Sequence, residues 1–238
     1  RVHRWRGEGW PHTSGATKRL LRHWSEREKR EGLTQFFFCQ MEAIETLIYL
    51  AETPEGAQFA RSIPGDGGDW KRLCCKMATG TGKTLVMAMT IAWQVLNKVN
   101  DPRNPKFSKH IFVVAPNLTV KSRLQVLHPA AQKGAGDWKE TNYYETHDIV
   151  PRELMPLLRQ GQVLIENWHT LAWDTEEQIR KRKSVDKRGA KSDGAYVREV
   201  LGKTMAAEKN IVVLNDEAHH AWRVPAESKI KGLRKEDI

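Results

Sequence analysis

The sequence is poor in cysteine. Three of its 238 residues are cysteines, and two of these, Cys74 and Cys75, are neighbours in the chain. Together with Cys39 they provide neither an even number for a disulfide framework nor the spacing of a zinc site. This use of cysteine is typical of a reducing compartment, so we expect a cytoplasmic protein.

Long apolar runs are missing as well. No segment approaches the roughly 18 apolar residues that a membrane-spanning helix needs, so we expect no membrane partner. The basic start of the chain, residues 1–6, is not followed by the apolar core of a signal peptide. The chain lacks an initiating Met and stops in a charged stretch at residues 234–238, and we therefore interpret it as a fragment of a longer protein.

Basic residues outnumber acidic ones. Lys and Arg total 39 against 29 Asp and Glu, which gives a formal net charge of +10 at pH 7. An excess of this size favours a polyanionic partner, most simply a nucleic acid, and a basic protein with a solvated surface is the alternative. The hydrophobic content of 39% excludes a disordered chain.

Strand patterns alternate with helical patterns along the chain. Strands are predicted at residues 72–76, 111–115, 142–145, 162–166 and 211–214. Helices are predicted at residues 17–30, 39–51, 82–97, 118–127, 152–159 and 196–207. Loops are predicted at residues 53–69, 101–105 and 174–195. The alternation predicts an α/β fold, in which a mostly parallel sheet carries helices on both faces.

The composition divides the chain into two parts. We expect a basic N-terminal arm at residues 1–34 and a single lobe at residues 35–238. The arm places Trp5, Trp10 and Trp24 among arginines. These indoles either pack the arm onto the lobe or belong to a surface that contacts nucleic acid.

A glycine-rich turn follows the first predicted strand of this lobe. Residues 77–84, with the sequence MATGTGKT, have the context of a phosphate-binding loop between a strand and a helix. Small residues let the backbone approach an anion, and the N–H groups at the helix start then face the phosphates. The strict pattern has Gly where this chain has Met77. The alternative is an ordinary glycine-rich turn with an incidental lysine.

The loop predicts specific roles. Lys83 would reach the β- and γ-phosphates of ATP and take part in catalysis, and the Thr84 hydroxyl would ligate Mg²⁺. The predicted ATP-binding residues of the loop are Thr79, Gly80, Thr81, Gly82, Lys83 and Thr84.

Two acids follow the last predicted strand. In a phosphate-loop enzyme, Asp216 would hold Mg²⁺ and Glu217 would act as the general base for the attacking water. An acid at this place can also cap a following helix, which is the alternative for Asp216 taken alone.

The two motifs together resemble a known superfamily. ATGTGKT at residues 78–84 and DEAH at residues 216–219 look like motifs I and II of superfamily 2 helicases and translocases. With NDEAHH at residues 215–220, the chain most resembles the motor subunits of type III and type I-like restriction endonucleases, over roughly residues 35–220. The resemblance implies a RecA-like lobe, ATP with Mg²⁺, and duplex DNA as partner. It further implies a second lobe, a possible nuclease domain, and a methyltransferase or specificity subunit.

The resemblance assigns roles to two further residues. Gln40 lies at the start of the helix before the loop, where the superfamily has a glutamine that contacts the adenine edge; an exposed helix-cap glutamine is the alternative. His219 would couple the nucleotide state to nucleic acid.

Candidate nucleic-acid contacts follow two other strands. Asn117 and Thr119 look like motif Ia and can donate to phosphate, or they can be an ordinary helix cap. Asn167, Trp168 and His169 resemble the Asn-Tyr-His segment of restriction motors, where Trp168 would stack a base or would belong to the core. The basic run Arg180, Lys181, Arg182 and Lys183 is either a nucleic-acid contact or a solvated loop.

These patterns favour the first lobe of an ATP-driven DNA motor, whose second lobe lies outside this sequence. Without that lobe we expect the fragment to be inactive. The alternatives are an ATP-gated clamp or sensor that binds nucleic acid without translocating, and a phosphotransferase that acts on a small molecule.

Overall fold

The structure is a computed structural model, and it describes residues 1–62, 72–130, 142–171 and 193–218. Its strands are β1 (His110–Ala115), β2 (Gln162–Asn167) and β3 (Val212–Asn215). Its helices are α1 (Val2–Gly7), α2 (Gly15–Ser25), α3 (Phe38–Glu52), α4 (Pro54–Ser62), α5 (Lys83–Asn100), α6 (Leu118–Leu124), α7 (Tyr143–Thr146), α8 (Met155–Leu158) and α9 (Asp193–Ala206). Among the described residues, no helix has the length and apolar character needed to cross a membrane.

The strands form a parallel sheet flanked by helices, in the order β2-β1-β3. The central strand, β1, has all six residues buried, whereas residues of β3 alternate between half-buried and exposed. The prediction of an α/β fold with a RecA-like parallel sheet is therefore confirmed. Three predicted strands, at residues 111–115, 162–166 and 211–214, match observed strands within one residue at each end.

The chain divides into two compact units. The first consists of Arg1–Ile111, Gln125–Val163 and Ala207–Val212, and the second consists of Phe112–Leu124, Leu164–Ala206 and Val213–Ile238. The first unit contains the phosphate loop, and the second contains the carboxyl ends of the strands.

The core of the first unit is built around α5. This helix is apolar nearly all round, and Met89, Ile91 and Leu96 have no exposed surface, as expected for a helix surrounded by other elements. It packs against α2, α3 and α8. The helix predicted at residues 82–97 is confirmed and continues to Asn100.

Residues 1–34 pack into the first unit. The indoles of Trp5 and Trp24 are buried, and Trp24 Nε1 donates to the carbonyl oxygen of Ile149 at 2.7 Å. Trp10 Nε1 donates to Glu45 Oε1 at 3.0 Å. Of the two interpretations of these tryptophans, the structure therefore supports packing.

One predicted loop contains a helix. The Pro and Gly residues at 53–69 predicted a loop, but α4 occupies Pro54–Ser62, and residues 63–69 lie outside the described ranges. The prediction was wrong because proline is well tolerated in the first turn of a helix, where its missing N–H has no helical partner. Thr53 Oγ1 also accepts the N–H of Gly56 at 2.9 Å and caps the helix start.

The segment before the phosphate loop does not form the predicted strand. Residues 72–76 are exposed and have no assigned secondary structure. The apolar part of this segment, residues 73–75, is short and lies between Arg72 and Lys76. A strand forms only where a neighbouring strand supplies its hydrogen bonds. The prediction of a strand at 72–76 was therefore wrong.

The strand predicted at residues 142–145 is a helical turn, α7. Its aromatic residues favour strands, but Asn142 Oδ1 accepts the N–H of Tyr144 at 2.8 Å, which is a helix N-cap bond. Tyr144 is fully buried, and its hydroxyl donates to the carbonyl oxygen of Leu127 at 2.7 Å. The cap and this tertiary bond outweigh the local strand propensity.

Most of the loop predicted at residues 174–195 lies outside the described residues. Its last residues, 193–195, begin α9, so the helix predicted at 196–207 starts three residues earlier. Gly202 interrupts this helix with φ 73° and ψ 165°.

Candidate nucleotide site and strand-end cluster

The phosphate loop of the first unit is shaped by two glycines. Gly80 and Gly82 have φ angles of +81° and +82°, a conformation that residues with a Cβ rarely adopt. Between them the Thr81 hydroxyl donates to the carbonyl oxygen of Ala78 at 2.7 Å. The chain therefore turns sharply immediately before α5, as the motif predicts.

The start of α5 has the features of an anion site. Its N-cap residue is Gly82, in the left-handed conformation and without a side-chain cap. The first turn contains no acidic residue, so no carboxylate of the turn itself competes for its N–H groups or for the positive end of the helix dipole. Lys83 and Thr84 occupy this turn and are half-buried.

Gln40 contacts the phosphate loop through its side-chain amide. Its side chain is 5% exposed, its Oε1 accepts the N–H of Phe37 at 3.0 Å, and its Nε2 donates to the carbonyl oxygen of Thr81 at 2.9 Å. A Cβ added at Gly82 would lie 2.4 Å from Gln40 Nε2. The structure therefore brings Gln40 to the loop and gives it a helix-capping bond. It is buried, unlike the exposed cap of the alternative interpretation, and its contact with adenine stays a prediction.

The predicted acidic pair lies in the second unit, at the end of β3. The N–H of Asp216 donates to the carbonyl oxygen of Val114 at 3.0 Å, which continues the pairing of β3 with β1. Asp216 Oδ1 in turn accepts the N–H of Glu217 at 3.1 Å. Glu217 has a φ of +52°, which is uncommon outside glycine, and such conformations concentrate at functional sites.

Asn117 and Thr119 follow β1 in the second unit. Asn117 Oδ1 accepts the N–H of Val120 at 2.9 Å, so Asn117 caps α6 as the alternative interpretation expected. Thr119 is exposed. A capped helix end with exposed polar neighbours remains able to donate N–H groups to a phosphate.

Asn167, Trp168 and His169 lie at the end of β2. Asn167 is buried, and its Oδ1 accepts the N–H of His169 at 3.1 Å. Trp168 is 40% exposed, and its ring centroid lies 4.1 Å from that of His169. The indole is thus accessible rather than part of the core, and Asn167 orients the turn that presents it.

The sequence did not predict one ion pair near the carboxyl ends of β1 and β2. Lys121 Nζ lies 2.6 Å from Glu166 Oε2, with each side chain less than one-third exposed. The pair joins α6 to the end of β2 and thereby fixes the two candidate contact segments to each other. Neither residue belongs to a recognisable motif, and only the fold brings them together.

The remaining predicted site residues are His219, Arg180, Lys181, Arg182 and Lys183. They lie outside the described residues, so their predictions rest on the sequence alone.

A glycine turn at the start of a buried helix, and acids at the carboxyl end of a strand in a parallel sheet, define a RecA-like phosphate-loop lobe. The chain matches the family described as Type III restriction enzyme, res subunit, over residues 34–235, and it belongs to that family. Membership makes it a helicase-like ATP-binding lobe. No curated protein matches the chain, and no solved structure does.

Proposed function

We propose that this chain binds Mg-ATP and hydrolyses it as the first lobe of a motor that moves along duplex DNA in a restriction system. One observation is the main support: the left-handed Gly82 begins a long buried helix without any side-chain cap. Backbone N–H groups at such a helix end bind phosphate.

The residues of the loop fit a nucleoside triphosphate. Thr79, Gly80 and Thr81 would surround the phosphates through their backbone, and Lys83 would neutralise the β- and γ-phosphates. A Cβ at Gly82 would lie 2.4 Å from Gln40 Nε2, and the φ of +82° is left-handed, so the turn favours glycine at this position. Gln40 itself remains a proposed contact of the nucleotide site.

The donor set also fits Mg²⁺, which prefers hydroxyl, carboxylate and water oxygens. Thr84 and Asp216 are both half-buried, and they would hold the ion, which would neutralise charge on the phosphates. Glu217 would orient the attacking water and accept its proton. Its backbone is left-handed, so the chain turns directly after Asp216.

The residues that follow β1 and β2 form the strand-end cluster, which consists of Asn117, Thr119, Asn167, Trp168 and His169 and is the proposed DNA interface. Asn117 and Thr119 would contact the phosphate backbone, and Asn167, Trp168 and His169 would contact a base or sugar. The basic run Arg180–Lys183 would add charge to this interface, and His219 would couple it to the nucleotide. The net charge of +10 supports a polyanionic partner.

The proposed partners follow from the family. A second RecA-like lobe would complete the nucleotide cleft, and a nuclease domain would complete the enzyme. A methyltransferase or specificity subunit would provide recognition of the DNA site.

The test is DNA-stimulated ATP hydrolysis by the protein that contains both lobes. Glu217→Gln should leave ATP affinity near that of the parent and lower phosphate release at least about 100-fold, the lower end for a positioned base. Glu31→Gln, at an exposed acid of the first unit that has no proposed role in hydrolysis or DNA binding, is the matched control.

Two results would count against the proposal. Turnover by Glu217→Gln near the parent rate would remove Glu217 from the role of base. ATP binding that strengthens DNA affinity without any DNA-stimulated turnover in the parent protein would favour the clamp or sensor.

A further inference from the structure

Two carboxyl groups on one face of α3 are buried. Glu45 has no exposed surface, and Glu52 is 8% exposed. Their positions differ by about two helical turns, so both side chains leave the helix on the same face. Acids are rarely buried unless other groups satisfy them. The donors to these two carboxyl groups therefore show what this face of α3 holds.

Glu45 is paired with the beginning of the chain. Arg6 Nε donates to Glu45 Oε2 at 2.7 Å, and Trp10 Nε1 donates to Glu45 Oε1 at 3.0 Å. The same guanidinium also pairs with Glu42, one turn earlier on α3. A buried ion pair is weak evidence for stability, because desolvation of the two charges offsets their attraction. We therefore look for its role in the position of α3.

Glu52 connects the same segment to a second helix. It accepts hydrogen bonds from the N–H of Ser14 and from the Thr17 hydroxyl, and it also accepts from Trp93 Nε1 of α5. Asn97 Nδ2, one turn beyond Trp93, donates to Thr17 Oγ1 at 2.9 Å. Hydrogen bonds thus join the start of α2 to both α3 and α5. The residues before α3 that donate to its buried acids form the N-terminal anchor, which consists of Arg6, Trp10, Ser14 and Thr17.

Both helices that the anchor joins reach the phosphate loop. Helix α5 begins at Lys83, directly after the loop. Helix α3 carries Gln40 near its start, and Gln40 Nε2 donates to the carbonyl oxygen of Thr81 at 2.9 Å. All of these residues belong to the first unit. The position of α3 relative to α5 therefore affects the loop that lies between their first turns.

We propose that the N-terminal anchor is coupled to anion binding at the phosphate loop, an inference that rests on the proposed nucleotide function. The anchor holds α3 against α5, and the loop then keeps the conformation that binds phosphate. Glu45 and Glu52 are positioning residues, because both are buried and bonded to the anchor. The residues that match the family begin at 34, so the anchor lies outside the matched region.

Coupling of this kind acts in both directions. If the anchor favours the phosphate-binding conformation of the loop, a phosphate bound at the loop must stabilise the anchor by the same factor. Such factors are typically about 5- to 150-fold. Ligand binding at the loop should therefore slow hydrogen exchange in residues 6–17, although these residues have no proposed contact with the ligand.

The first experiment measures hydrogen exchange in the parent protein by mass spectrometry, with Mg²⁺ and with or without saturating inorganic tripolyphosphate. Exchange in a peptide that covers residues 6–17 should slow at least about 5-fold when tripolyphosphate binds. Exchange in residues 152–158 of the same unit, which include α8, should stay the same. A purely structural role of the anchor would give no dependence on the ligand.

The second experiment removes one donor of the anchor. Arg6→Ala should weaken the binding of ATP and of tripolyphosphate by the same factor, about 5- to 150-fold. Calorimetry measures both affinities at a temperature at which circular dichroism shows the variant to be folded. Arg6→Lys keeps the charge and should recover part of the affinity. Arg4→Ala, at an arginine of α1 whose side chain is 71% exposed, is the matched control and should leave both affinities unchanged.

The outcomes separate this inference from the function on which it rests. Failure of the parent protein to bind either ATP or tripolyphosphate would overturn both. Unchanged exchange in residues 6–17 on binding of tripolyphosphate would overturn the coupling alone, and so would equal affinities of Arg6→Ala and Arg4→Ala. If Arg6→Ala does not fold, the exchange experiment on the parent protein decides.

Discussion

At the scale of single residues, the candidate nucleotide site depends on backbone conformation as much as on charge. Gly80 and Gly82 both have positive φ angles, and a Cβ at Gly82 would displace the Gln40 amide, whose Nε2 would lie 2.4 Å from it. Lys83 follows directly and is the first residue of the helix. Its side chain therefore starts from the turn whose N–H groups would face a phosphate.

Replacing Lys83 by Ala should weaken nucleotide binding. Hydrogen bonds to charged groups contribute roughly 1.5–3 kcal/mol, which corresponds to about 10- to 150-fold in affinity. Titration with a fluorescent ATP analogue measures the change, and Lys106→Ala, at an exposed lysine of the same unit, is the control. Binding by Lys83→Ala equal to that of the control would exclude Lys83 from the site.

The sequence predicted the turn before α5 but not the partners of its residues. The spacing of glycines, lysine and threonine is local, so the loop could be recognised from eight residues. The hydrogen bond of Gln40 to Thr81 spans 41 positions, and the Lys121–Glu166 pair spans 45. Such pairs depend on how the elements pack, which no local pattern contains.

At the scale of elements, buried carboxyl groups attach the N-terminal segment to the first unit. On α3, Glu52 accepts from the N–H of Ser14 at 2.8 Å and from Thr17 Oγ1 at 2.6 Å. It also accepts from Trp93 Nε1 at 2.7 Å. The Glu52 side chain therefore joins the start of α2 and the middle of α5 to α3, and it accepts a hydrogen bond from each of these three donors.

Replacing Glu52 by Ala should destabilise the protein by about 3 kcal/mol or more. The substitution leaves several donors without an acceptor, and each unsatisfied buried group costs about 1–3 kcal/mol. Urea unfolding followed by circular dichroism measures the loss. The control, Glu31→Ala, changes an exposed acid and should stay within about 0.5 kcal/mol of the parent; equal effects of the two variants would refute the role of Glu52.

The contact between α2 and the loop after α7 should make stability depend on pH. Burial lowers the pKa of His23 below its ordinary value of about 6.5, although the nearby Asp148 raises it and Arg30 lowers it further. Between the two pKa values the unfolded chain therefore binds more protons than the folded chain. The contribution of His23 to the free energy of unfolding is fully present above about pH 6.5 and is lost as the pH falls through the folded pKa.

Replacing His23 by Gln should reduce the loss of folding stability at acidic pH. The urea midpoint of the parent should fall between pH 7.5 and pH 5.5 by more than that of the variant. His3→Gln, at an exposed histidine, serves as the control and should retain the dependence of the parent. The same pH response in the His23 variant and the parent would show that other groups cause it.

The basic run Arg180–Lys183 is predicted to bind the DNA backbone. If all four residues contact phosphates, replacing them by Ala should reduce the log–log salt slope of duplex binding by roughly 3.6. The matched control replaces four exposed basic residues of the first unit, Arg22, Arg103, Lys106 and Arg152. Equal slopes for the parent and the Arg180–Lys183 variant would indicate a solvated loop.

Elements were predictable where their own residues determine them. The buried strand β1 and the apolar helix α5 follow from uninterrupted hydrophobic patterns. The helical turn α7 and the short helix α4 did not, because each depends on one capping contact, from Asn142 and from Thr53. Residues 72–76 do not form the predicted strand, because no local pattern can supply the hydrogen bonds of a neighbouring strand.

At the scale of the whole molecule, the family and the fold class could be inferred from two short motifs and the alternation of strands and helices. The division into two units could not, because it depends on contacts between distant segments. The phosphate loop and the acidic pair belong to different units, although both belong to the residues that match the family.

The last prediction concerns what one lobe can do by itself. Phosphoryl transfer spreads charge over the γ-phosphate, and an arginine that stabilises this charge contributes roughly 10³–10⁵ in rate in phosphate-loop enzymes. We propose that a second lobe supplies this arginine. Residues 1–238 by themselves should then bind Mg-ATP weakly and release phosphate negligibly, with or without duplex DNA. Phosphate release from this chain is compared with that from a protein carrying both lobes, and comparable DNA-stimulated rates would contradict the two-lobe motor.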